Sequence, residues 1–116
     1  MRSMGADALE MTRRRHGDLV VVSLAGEIDV DNVSDVRKCL DEAVETHGPR
    51  LVVDLTGLTF IDTTGLGVLV RLLATLRDRN GSMALVAPDG QVLRRLRRTN
   101  LAPLFPIYDT LSQALA

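Results

Sequence analysis

The hydrophobic pattern of this chain changes period several times, and glycines and prolines mark the changes. Leu19 to Ala25 is a β-branched apolar run bounded by Gly26. Leu9 to Arg13 is a weaker extended run, and Arg14-Arg15-His16-Gly17-Asp18 between them reads as a turn. Two extended runs across so short a turn predict an antiparallel hairpin. From Asp31 the spacing becomes helical: Val33, Val36, Leu40, Ala43 and Val44 form one apolar stripe, with charged residues mostly elsewhere. Asp29 or Asp31 is expected to cap that helix, and Gly48-Pro49 to stop it. Leu51 to Leu55 is a largely apolar run, as expected of a strand covered on both faces.

A second helix is predicted from about Gly65 to Arg79, with Leu66, Leu69, Val70, Leu73 and Leu76 inward and Asn80-Gly81 ending it. Met83 to Ala87 reads as another buried strand, closed by Pro88-Asp89-Gly90. Gln91 to Arg98 reads as a short helix, and Phe105 to Tyr108 as a short strand. Asp109 is placed to cap a last helix from Thr110 to Ala116. This alternation predicts an α/β fold, with a mixed, mostly parallel sheet of four to five strands, about four helices and a leading antiparallel hairpin. Sites in such sheets lie beyond the carboxyl ends of the parallel strands. The loops expected there are Gly26 to Asp31, Thr56 to Thr64 and Ala87 to Gly90.

The 116 residues fit one domain, expected over 8–116 after a flexible start at 1–7, and no repeat or linker divides them. Fourteen Lys and Arg balance 15 Asp and Glu, for a net charge of -1, so no overall field holds nucleic acid or an anionic membrane. The apolar runs fall far short of the roughly 20 residues of a spanning helix. Asp7 and Glu10 stand where a signal peptide needs an apolar run. One cysteine, Cys39, forms no internal disulfide, and two histidines make no metal cage. A reduced, cytoplasmic domain without cofactor or metal is expected.

Candidate chemistry concentrates in Asp54-Leu55-Thr56-Gly57-Leu58-Thr59-Phe60-Ile61-Asp62-Thr63-Thr64-Gly65-Leu66-Gly67. Two hydroxyl residues stand at the mouth of a helix, where unpaired N–H groups and partial positive charge favour carboxylates and phosphates. Asp62 or Thr63 serves as a cap. Gly65 and Gly67 each cost about 1 kcal/mol relative to Ala within a helix, so more than helix stability is at work there.

Asp62-Thr63-Thr64-Gly65-Leu66-Gly67, preceded by Leu51 to Leu55, resembles the signature of STAS domains, the family of anti-sigma factor antagonists. Gly26-Glu27-Ile28-Asp29 resembles the family's other marker, and the likeness runs from about Leu9 to Ala116. The resemblance implies a small sheet with helices mainly on one side, acting as a stand-alone bacterial cytoplasmic regulator. It also implies that Thr64 is phosphorylated by a partner that is both serine/threonine kinase and anti-sigma factor, with a phosphatase to reverse the change. Asp29, Asp62, Thr63, Gly65, Leu66 and Gly67 would support that site, and Glu27, Asp29, Phe60, Thr64 and Leu66 would meet the partner. Thr stands here for the commoner Ser at both hydroxyl positions, adding a methyl group and stiffening χ1. The other role implied is a scaffold subunit of a stress-sensing or lipid-transport complex without a phosphoswitch.

Enzymatic readings find little support. No Gly-Lys-Ser/Thr follows the glycine-bearing stretch, and His16 and His47 are not placed to activate Thr64. Cys39 reads as a packed small hydrophobe. Arg94, Arg95, Arg97 and Arg98 read as a solvated helix face, with Val92, Leu93 and Leu96 inward and no aromatic interleaving for nucleic acid.

Overall fold

The structure is a computed structural model that describes residues 9–116. The expected flexible start, 1–7, lies outside the described residues. Strands β1 (Glu10–His16), β2 (Leu19–Ile28), β3 (Arg50–Ile61), β4 (Ser82–Val86) and β5 (Ile107–Tyr108) alternate with helices α1 (Val33–His47), α2 (Thr63–Asp78), α3 (Gln91–Arg98) and α4 (Leu111–Leu115). They form one sheet in the order β1-β2-β3-β4-β5. β1 pairs antiparallel with β2, and every other pairing is parallel. The mixed α/β architecture thus follows the alternation of periods.

Strand alternation divides the core. Val20, Val22, Leu24, Leu51, Val53, Met83 and Leu85 share a cluster with the buried stripes of α1, α2 and α3. Val21, Val52 and Val86 point the other way, where Leu111, Ala114 and Leu115 of α4 pack on them. In α2 the buried face includes Val68 and Leu72 beside Leu66, Leu69, Leu73 and Leu76, whereas Val70 lies at its edge.

Several local expectations are corrected. The turn is only Gly17-Asp18, because β1 runs on through Arg13, Arg14 and Arg15 to His16. Charged residues suit this strand, since they keep an exposed edge from pairing with other chains. β2 does not stop at Gly26, which takes φ +113 inside it. Thr56 to Ile61 is strand rather than loop, because β3 fits two extra residues against β2 through register shifts at Ser23/Ala25 and Gly26/Glu27. Such bulges bend a strand and re-aim its side chains.

Neither Asp29 nor Asp31 caps α1 with its side chain. The cap position is Asn32, and the Asp29 carbonyl accepts the N–H groups of Asn32 and Val33 at 3.2 and 2.9 Å. β4 starts and ends one residue earlier than expected, and β5 keeps only Ile107 and Tyr108. A 3-10 turn over Ala102–Leu104 precedes β5. Thr110, not Asp109, caps α4, its hydroxyl accepting the Gln113 N–H at 3.2 Å. No helix among the described residues is long and apolar enough to cross a membrane.

Candidate functional site

β3 and α2 meet almost without a connection: β3 ends at Ile61, α2 begins at Thr63, and Asp62 alone stands between. Asp62 is the cap, narrowing the expected pair of Asp62 or Thr63. Its Oδ1 accepts the N–H groups of Thr64 at 3.0 Å and Gly65 at 3.1 Å, and the Thr64 hydroxyl at 2.5 Å. Burial alone would raise the Asp62 pKa, but these hydrogen bonds, joined by the charge of Arg95, outweigh it and hold the carboxyl below its ordinary value. Thr64 is half-buried with its hydroxyl fixed, whereas Thr63 is exposed.

The neighbouring marker lies beside this junction. Ile28 of β2 pairs with Ile61, and the Asp62 N–H donates to the Ile28 carbonyl at 3.1 Å. The chain after Ile28 is held by buried Asn32, whose amide donates to the Glu27 carbonyl at 2.8 Å while its oxygen accepts the Asp29 N–H at 3.0 Å. Asp29 in turn accepts the Asp31 N–H at 3.0 Å. Glu27 and Asp29 are half-buried, and Phe60 is exposed. Glu27, Asp29, Phe60, Asp62 and Thr64 therefore share one end of the sheet. Leu66 does not join them on the surface. It is 3% exposed and packs in the core, so it supports α2 from beneath and offers a partner no face.

The two glycines differ. A Cβ on Gly65 would come within 2.7 Å of Ile61 Cγ1 and 2.9 Å of Ile28 Cγ2, so α2 is seated closely on the two strand ends. A Cβ on Gly67 would meet nothing nearer than Arg71 Nη1, at 3.5 Å. Gly67 instead borders a cleft of about 360 Å³ between α1 and α2, lined by Ser34, Arg37, Thr63, Thr64 and Arg71. These two arginines, like Asn32, were not singled out from sequence, because nothing local marks them as neighbours of Thr64. Val30 was also missed, although an apolar residue between Asp29 and Asp31 is itself a signal; it is 68% exposed.

The arginine helix is not a uniformly solvated face. Val92, Leu93 and Leu96 are buried as expected, but Arg95 is half-buried, its guanidinium carbon 5.6 Å from the centroid of the Phe60 ring. Cys39 packs partly against the core, where burial pushes its thiol pKa up, eased by Arg13 and reinforced by Glu42. Such a thiol stays protonated and unreactive. Among the described residues no three His, Cys, Asp or Glu side chains gather in a way that could hold a metal ion.

The family model for the STAS domain matches residues 10–114. An anti-sigma F factor antagonist of Paenibacillus polymyxa is 32% identical over 108 residues, covering 92% of each chain. The crystal structure of an anti-sigma factor antagonist from Mycobacterium paratuberculosis aligns with a TM-score of 0.86 at 30% identity, covering 96% of this chain and 94% of that one. The Bacillus cell fate determinant SpoIIAA in its phosphorylated form aligns with a TM-score of 0.70 at 21% identity, over 93% and 96% of the two chains, a likeness of fold alone.

Proposed function

The chain belongs to the STAS domain family, and from that premise we propose that it is an anti-sigma factor antagonist switched by phosphorylation of Thr64. Unmodified, it captures an anti-sigma factor in the bacterial cytoplasm and so frees a sigma factor. That partner also carries serine/threonine kinase activity, and a phosphatase restores the unmodified form. The chain itself turns over no substrate.

The observation that carries this reading is the Thr64 hydroxyl, held 2.5 Å from Asp62 at a sheet edge shared with Glu27, Asp29 and Phe60. In the transfer, the Thr64 oxygen bonds to the γ-phosphorus of ATP, the bond from that phosphorus to the β-phosphate oxygen breaks, and ADP leaves. The hydroxyl proton passes to a base of the kinase. Asp62, its pKa lowered, is a poor base and orients the hydroxyl instead.

The added group carries about -1.5 to -2 charges at pH 7. It cannot keep the bond to the Asp62 carboxylate, and it turns towards the cleft that Arg37 and Arg71 line, so the fold accommodates it. A partner surface fitted to a neutral hydroxyl does not. One partner carboxylate about 4 Å away, at an effective dielectric of about 20, is repelled by roughly 4 kcal/mol per charge. A third of that is already about tenfold in affinity.

The test is mass spectrometry and binding titration of variants with the cognate anti-sigma kinase and ATP. Thr64→Ala keeps the Asp62 cap to two backbone N–H groups, so it folds, binds and resists modification. Thr64→Glu binds at least about tenfold more weakly. Modification that persists in Thr64→Ala and vanishes in Thr63→Ala moves the switch by one residue. No modification in any chain, with Thr64→Glu binding like wild type, replaces the switch with the scaffold role.

A further inference from the structure

We propose that α3 and the exposed ring of Phe60 form a second docking patch, which binds an acidic polypeptide segment of the partner protein. The proposal rests on the reading above that this edge of the sheet meets a protein.

A cavity of about 420 Å³ lies between β3 and α3, lined by Phe60, Ile61, Gln91, Arg94, Arg95 and Arg98. That volume is within the ~300–1,000 Å³ of ordinary binding clefts. Its arginines form no ion pair: among the described residues, the ion pair joins Arg50 to Asp18, and Arg95 feels the Asp62 carboxylate only at longer range. Arg95 does not extend freely into water. Its guanidinium lies over Phe60, and its Nε is sealed from solvent without a hydrogen-bond partner. A charge kept partly desolvated and unpaired is costly for the free chain and gains most from an arriving anion.

The arrangement selects the class of anion. A site for a single phosphate converges its donors on one point. Here Arg94 and Arg98 stand a helical turn apart, about 6 Å along the axis, with Arg95 between them over the ring. Charges spread along a groove match carboxylates spread along an extended chain. The exposed ring of Phe60 offers apolar surface to a side chain between those carboxylates. Nucleic acid fits less well, because one eight-residue helix supplies the charge. Continuity also favours the same protein partner, since Phe60 lies in both this cavity and the edge that presents Thr64.

The test titrates the isotope-labelled full chain with a hexaglutamate peptide, and separately with inorganic phosphate and a short DNA duplex, following amide chemical shifts. Saturable shifts with hexaglutamate are expected at Phe60, Gln91, Arg94, Arg95 and Arg98. Arg94→Glu/Arg98→Glu should weaken binding at least tenfold, and Arg95→Gln should weaken it in a chain whose spectrum stays dispersed. Non-saturating shifts, or saturation elsewhere, overturn the proposal. Equal response to phosphate makes the cavity a free-anion site, and tighter binding of the duplex makes it a nucleic-acid site; either outcome overturns it too. The titration does not involve phosphorylation, so its failure leaves the Thr64 switch to its own mass-spectrometric test.

Discussion

Asp62 Oδ1 accepts three hydrogen bonds, two from the first turn of α2 and one from the Thr64 hydroxyl. All three favour the ionised form, and together with Arg95 they outweigh the opposing effect of burial, so the folded pKa is lower than the unfolded one. The stability this carboxylate lends is full above the unfolded value, near 3.9 for Asp, and is lost as pH falls through the folded value. Asp62→Asn should therefore lie below wild type by a constant margin between pH 5 and pH 7, and the margin should shrink below about pH 4. Urea denaturation across that range checks it, and a margin unchanged at pH 3 contradicts it. At this scale the sequence was partly legible. Asp62 stood out because a cap is a local feature, and Thr64 because the motif around it resembles that of the STAS family. Arg95 did not, because its contact with Phe60 joins residues far apart in the chain, and neither residue alone carries the signal.

Among the elements, α2 is the one whose seating positions the site, and its two early glycines have separable roles. Gly65→Ala drives a methyl group into the buried Ile61 and Ile28 side chains. Overpacking of that kind costs about 1–3 kcal/mol, against a helix-propensity gain of about 1 kcal/mol. Gly67→Ala meets only ordinary contact, so it should stabilise the chain by up to about 1 kcal/mol while narrowing the cleft beside Thr64. Denaturation midpoints moving in opposite directions are expected, and equal shifts would remove the distinction. The far half of β3 was not legible as strand. Thr56, Gly57 and Thr59 have the composition of a loop, and only the bulged pairing of β3 with β2 keeps them extended. Where side chains pack at a regular period, as in α1 and α2, the elements followed directly from the pattern.

For the molecule as a whole, alternating periods were enough to predict a mixed sheet, because short right-handed crossovers leave few other arrangements. They also pointed to the end of the sheet proposed above as the binding edge, where Gly26 to Ile28 and Thr56 to Ile61 proved to be strand while Ala87 to Gly90 is a loop as expected. With a cognate anti-sigma factor, cross-linking or chemical-shift mapping should fall on Glu27 to Asp31 and Phe60 to Leu69 and extend to α3. Contacts on α4 or the β1 edge instead would reject that edge. The direct passage from β3 into α2, with Asp62 as the sole residue between, also bears on the entropy of association. Ordering a free backbone costs at least about 1 kcal/mol per residue, so a four-residue loop that settled only on contact would forfeit about 4 kcal/mol. That loss is roughly a thousandfold in affinity. This junction has no such loop to settle, so a partner that docked there would meet a surface already formed.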